Sequence, residues 1–183
     1  EYEYSYNYQN WFPAAEYETK NTRENVGLFE LTPFSKYELK GETAHDELQR
    51  ICTANIKNEI GKCTYTQMLN KDGGIETDLT VVKIAENKFR IITAAANKER
   101  DKFHIQKHLS EDIKLLDVTD DYCVLGVFGP KSIDLMKDLS DDDYSNENFK
   151  FATAKYVIIN QNQILRKNET ITEFDSVQTD YIN

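Results

Sequence analysis

Between residues 62 and 85 the chain reads KCTYTQML, then NKDGG, then IETDLTVVKIA, and the five central residues leave the flanks few ways to fold. Asn70, Asp72 and the paired Gly73 and Gly74 supply the positive backbone dihedrals that a tight hairpin needs. The segment beyond the turn alternates, with Ile75, Leu79, Val81 and Val82 as apolar contacts, as a strand with one buried face does. Two antiparallel strands are therefore expected, with Tyr65 on one and the acids Glu76 and Asp78 on the other. Alternation puts Asp78 on the face of Glu76 and Thr80, opposite Ile75, Leu79 and Val81, unless a bulge intervenes.

The remaining chain supplies partners for that hairpin. VGLFEL (26–31) and SKYELKG (35–41) read as strands. Thr43 then caps a helix with Ala44, Leu48, Ile51 and Cys52 on one face, ending near Ile56. After a turn at AENK, FRIITAAA is another strand, and residues 97–109 suit a helix capped by Asn97 with Phe103, Ile105 and Leu109 inward. IKLLDV and YCVLGVFG are further strands, and GPKS opens the helix SIDLMKDL with Pro130 at or near its first turn. DLSDDDYSNENF (138–149) is a solvated acidic loop, and KYVIIN (155–160) is a last strand. Strands joined by hairpins and interrupted by helices predict an α+β fold around a mostly antiparallel sheet, not a doubly wound parallel one. Three stretches are expected: a polar and aromatic lead-in over 1–25, a domain over 26–164 and a polar tail over 165–183.

Charge excludes one class of function. The 32 acidic against 22 basic residues give a net charge of −10, with no Lys/Arg cluster, whereas nucleic-acid binding through phosphates needs a basic face. No nucleic-acid partner is expected. No apolar run approaches the roughly 20 residues of a membrane-crossing helix, so no membrane partner is expected either. The start, EYEYSYNYQNWF, lacks the basic and apolar parts of a signal peptide and has no Met, which suggests a processed chain or a piece of a longer one. Cys52, Cys63 and Cys123 are an odd count without a CxxC pair. They are expected to be buried reduced thiols, in the mitochondrial matrix or the cytoplasm.

Several chemistries lack their motifs. No GxGxxG follows a strand, and there is no P-loop, GxSxG or HExxH. His104 and His108 stand one helical turn apart and could share a metal. With no third ligand patterned nearby, a solvated polar face is the expectation and no metal site is assigned. Asp78 sits among Thr77, Leu79 and Val81, and the pattern alone leaves it open between a solvent-facing acid and a working carboxylate.

A resemblance adds to this. NTRENVGLFELTPFSKYELKGETAHDELQRICTANI resembles the opening of the glycine-cleavage T-protein (aminomethyltransferase) family. TYTQMLNKDGGIETDLTVV is similar to the family's most diagnostic stretch, while FRIITAAANKERD and VLGVFGPKSIDLM match later segments in order. The resemblance spans about residues 10–160. It implies that Tyr65 lines a folate pocket and that Asp78 contacts the pterin end of tetrahydrofolate. A carboxylate suits that place, because moving a one-carbon unit onto folate needs proton transfer and builds positive charge. Thr77 stands where T-proteins usually carry a first acid, and Ala94 where they carry Asn. Both changes, with the lead-in, look more like the folate domains of dimethylglycine and sarcosine dehydrogenases. RKNETITEF replaces the family's later R-x-x-Y-x-G-E segment, which implies a pocket wall not encoded here.

The resemblance thus implies a tetrahydrofolate-binding domain that transfers a methylene unit from an N-methylated amine such as dimethylglycine or sarcosine. FAD would enter only through a separate domain N-terminal to Glu1. The alternatives are a glycine-cleavage aminomethyltransferase, or a non-catalytic relative such as the regulatory subunit of pyruvate dehydrogenase phosphatase. An iron–sulfur assembly factor fits less well, since GKCTY has the order Gly-Lys-Cys.

Overall fold

The computed structural model describes residues 1–159 and the backbone of 178–180. Its described residues fall into two compact units.

The larger unit is built on a five-stranded sheet. Its strands are β2 (Ser35–Lys40), β3 (Cys63–Leu69), β4 (Ile75–Ala85), β5 (Lys88–Thr93) and β6 (Lys114–Asp117), in the order β3-β4-β5-β2-β6. Every neighbouring pair is antiparallel, as expected. Two helices cross over: α2 (Ala44–Ile51) and α3 (Lys98–Gln106). Period-two alternation sends Tyr37, Leu39, Met68, Leu79, Val81, Phe89 and Ile91 into one cluster, where Ala44 and Leu48 of α2 and Ile105 of α3 meet them.

The opposite face of β2 is also buried, by charge. Glu38 lies opposite Arg90 in the ladder and accepts bonds from it at 2.6 Å and from Lys88 at 2.5 Å. Burial pushes the Glu38 carboxyl up, but the two cations outweigh it and hold it below its ordinary value. The Arg90 guanidinium lies 4.0 Å from the Tyr122 ring centroid, which covers it from above.

The β3–β4 turn is built by Asn70. Its backbone N–H donates to the Gly74 carbonyl at 2.8 Å, and its side-chain oxygen accepts from the N–H groups of Asp72 and Gly74 at 3.0 and 2.9 Å. Gly73 takes a φ of +83° there. One register shift follows: Met68 faces Thr77, but Leu69 faces Ile75, so Glu76 is the extra residue of a bulge. That bulge rolls Ile75 into solvent, 65% exposed, against the expectation that it would be an apolar contact.

The smaller unit contains α1 (Phe12–Glu24), β1 (Gly27–Glu30), β7 (Leu125–Phe128) and α4 (Ser132–Leu139). β1 and β7 pair antiparallel, with Phe29 and Phe128 ring edge to face at 5.3 Å. α1 buries none of its residues, which explains why the lead-in shows no apolar period although most of it is helical. Gly129, at φ +113°, lies so close to Thr22 and Asn25 that an added Cβ would meet their carbonyl oxygens at 2.6 and 2.4 Å.

Other expectations need correction. α2 ends at Ile51, not near Ile56, and neither Thr43 nor Asn97 makes a side-chain capping bond. Phe103 is 67% exposed, because the inward stripe of α3 runs through Asp101, His104 and Ile105. The last expected strand is shorter: β8 covers Ala154–Tyr156 and pairs with β9 (Gln178–Asp180), and Asn160 lies outside the described residues. So does the expected tail over 165–183, apart from the backbone of β9.

The turn generates a prediction. No atom lies within 4 Å of an added Cβ at Gly73, so Gly73→Ala meets only the backbone cost of a positive φ, roughly 1 kcal/mol. Gly73→Asn should cost less, since Asn visits that region more readily. Urea unfolding of the three proteins checks the order.

Candidate functional site

The alternation that buries Leu79 and Val81 turns Asp78 outward on β4, next to the half-buried Glu76 and Thr80. Across the ladder Asp78 faces Gln67, and Thr80 faces Tyr65. Cross-strand neighbours on one face are close enough for side chains to meet, and here they do. The Tyr65 hydroxyl donates to Asp78 Oδ2 at 2.9 Å, and the Gln67 amide Nε2 donates to Asp78 Oδ1 at 3.0 Å. The hairpin thus brings together the two residues that the sequence singles out. Gln67 is the one sequence reasoning missed: counting back around the turn from the Leu69–Ile75 pair sets Thr66 opposite Asp78, and only the bulge at Glu76 moves Gln67 there.

The partners of this carboxylate are a phenol and an amide, both neutral donors. The other acid of β4 is occupied elsewhere: Glu76 accepts from Arg100 of α3 at 2.6 Å and from Asn70 at 3.1 Å. Asp78 orients Tyr65 and changes its chemistry. A phenol that donates to a carboxylate resists deprotonation, and Tyr65 titrates above its ordinary value of 10.0 for that reason. The Tyr65 ring remains 64% exposed beside the acid. Such a surface offers a flat ring for stacking and a carboxylate whose remaining lone pairs can accept N–H donors.

Beneath the hairpin, Asp101 of α3 is buried and accepts a bond from the Thr77 hydroxyl at 3.2 Å. Burial pushes its pKa up, while the hydroxyl pulls the other way. Thr77, which replaces the expected first acid, therefore points to the core side, not to the open face.

The histidine pair differs from expectation. His104 is buried, not solvated, and its ring centroid lies 4.7 Å from that of His108, whose Nδ1 is 2.8 Å from the His104 carbonyl oxygen. Among the described residues no group of three or more His, Cys, Asp or Glu is placed to hold a metal ion. The thiols differ too. Cys52 is buried, but Cys63 is half-buried and Cys123 exposed, and no disulfide joins them. No helix among the described residues is long and apolar enough to cross a membrane.

Two measurements follow. Asp78→Asn removes the charge that raises Tyr65, so the Tyr65 phenol should titrate at lower pH than in the parent, as read by ring-labelled NMR with Tyr65→Phe for assignment. Burial, then the neighbouring His108 and Lys107, hold His104 below its ordinary 6.5, with Glu76 and Asp101 opposing. The unfolded chain therefore takes up this proton at higher pH than the folded one, so stability is full above 6.5 and falls as pH drops below it. His104→Gln should flatten that part of the pH dependence of thermal unfolding.

Comparison with known proteins places the chain. The family model of the GCVT N-terminal domain matches residues 1–166. The chain is 33% identical over 159 residues to 4-methylaminobutanoate oxidase (formaldehyde-forming) of Paenarthrobacter nicotinovorans, covering 86% of this chain and 19% of that protein. It is 30% identical over 158 residues to the mitochondrial dimethylglycine dehydrogenase of Rattus norvegicus, covering 85% of this chain and 18% of the relative. The chain thus spans under a fifth of the length of these two relatives. Its fold is that of the glycine cleavage system aminomethyltransferase T from Bartonella henselae, with a TM-score of 0.69 at 20% identity, over 84% of this chain and 43% of that one. With the family model matching residues 1–166, most of the chain's length, the chain belongs to the GCVT N-terminal domain family.

Proposed function

We propose that this chain is the tetrahydrofolate-binding domain of a one-carbon transfer enzyme acting on N-methylated amines of the dimethylglycine or sarcosine type. The observation that carries the reading is the outward carboxylate of Asp78, fixed by Tyr65 and Gln67 on an open sheet face. Family membership supports it, as do relatives whose names join oxidation to an N-methylated amine.

The residues present fit a pterin. Each Asp78 oxygen already accepts one bond and keeps lone-pair capacity for N–H donors of a ligand edge. The exposed Tyr65 ring provides a stacking surface beside it. Tetrahydrofolate, when bound, supplies the nitrogens that accept the one-carbon unit. Asp78 then acts in two ways: its charge favours positive charge developing nearby, and its free lone pairs can receive a proton. The Tyr65 hydroxyl keeps the carboxylate turned toward the ligand. FAD and the oxidation of the amine are assigned to other parts of a longer polypeptide, and residues 26–164 to the folate domain. The reduced cysteines fit a reducing compartment, the mitochondrial matrix or the cytoplasm.

In the full-length protein, Asp78→Ala should cut one-carbon transfer on the order of 100-fold while the circular dichroism spectrum is unchanged, since a charge acting on the transition state governs rate more than binding. Tyr65→Phe should cost less, because the ring stays. Transfer at the parent rate by Asp78→Ala would overturn the reading.

A further inference from the structure

Resting on that folate reading, we propose that Gln67 is a positioning residue, which aims the Asp78 carboxylate at the ligand without neutralising it. An aspartate on an open strand turns about two side-chain torsions, and a group that must meet a ligand in one orientation gains from having them fixed. Here each oxygen has its own holder: Tyr65 OH on Oδ2 at 2.9 Å and Gln67 Nε2 on Oδ1 at 3.0 Å. Both holders come from β3, because the other side of β4 offers nothing comparable. Leu79 pairs with Thr93 at the end of β5, and the residue that follows is Ala94, whose methyl group cannot donate. Gln67 lies directly opposite Asp78 in the ladder and is half-buried, which gives its amide a short reach and a restricted path.

The chemistry of the holder matters as much as its position. A lysine or arginine at residue 67 would orient the acid but also cancel the field that the acid supplies. An amide donates while leaving the net charge on Asp78 intact. The same hairpin shows the contrasting arrangement, since Glu76 is tied to the Arg100 guanidinium and faces α3. Among the described residues no ion pair involves Asp78. The division is one acid spent on scaffolding and one kept charged and aimed.

The test uses the full-length protein and tetrahydrofolate in titration calorimetry, with Gln67→Leu, Asp78→Ala and the double variant. Gln67→Leu should weaken binding about 3- to 10-fold, the scale of one net hydrogen bond. In the Asp78→Ala background the same change should add no further loss, because the group it acts through is gone. A Gln67→Leu protein that binds as the parent does, or losses that multiply in the double variant, would overturn the proposal. A second readout needs no ligand: the Gln67 side-chain amide resonances should move on Asp78→Ala, and unmoved resonances would show that Gln67 does not hold the carboxylate. If the parent fails to bind tetrahydrofolate, the folate reading falls and Gln67's part in binding with it, whereas the amide resonances report separately on the contact itself.

Discussion

The direction in which Asp78 points is decided by the antiparallel ladder that clamps β4 between β3 and β5. With Leu79 opposite Thr66 on one side and Thr93 on the other, β4 has no freedom to slip. A shift of one residue would exchange its buried and open faces, and the 2% exposure of Leu79 shows what such a shift would expose. The core thereby fixes the open face: every apolar contact that holds Leu79 and Val81 down also holds Asp78 up. The site inherits its geometry from packing, with the turn at Asn70 setting the register and the buried Glu38–Arg90 pair joining β2 to β5.

Much of this was legible in the residues, for a physical reason. Strand alternation and turn chemistry are local, so the strands around the Gly73–Gly74 turn, the antiparallel sheet and the open face of Asp78 could be read directly. What depended on tertiary contact could not. Ile75 looks apolar and inward, but one extra residue at Glu76, secured by Arg100 from a distant helix, turns it out. His104 looks like part of a polar stripe, but α3 is rotated so that Asp101, His104 and Ile105 face inward and Phe103 outward. α1 forms without a buried stripe to announce it, and Cys123 sits exposed although apolar residues flank it. The partnership of Gln67 with Asp78 required the register, which only the paired strands supply.

The two acids of β4 show how one short segment separates scaffolding from an open acidic face. Thr77 and Asp101 make the contact beneath the sheet, Glu76 binds the helix, and Asp78 stays on the surface among neutral donors. A carboxylate beneath the sheet at residue 77 would face the buried Asp101 and carry a like-charge cost, so threonine is the compatible choice in this chain. Family membership and the shared fold give this face a context. Under the proposed one-carbon transfer the electrostatics give it a rationale, since an oriented and uncompensated charge is a suitable partner for developing positive charge.

The central claim is that the outward face of the β3–β4 hairpin is the ligand-binding face. Chemical-shift mapping of the isotope-labelled chain during titration with tetrahydrofolate tests it most directly. The account predicts that the perturbed resonances cluster on Tyr65, Gln67, Asp78 and Thr80, while the inward-facing Thr66, Met68 and Leu79 change little. Perturbations centred instead on α3 around His104 and His108, or a hairpin that does not respond while the ligand binds elsewhere, would contradict it.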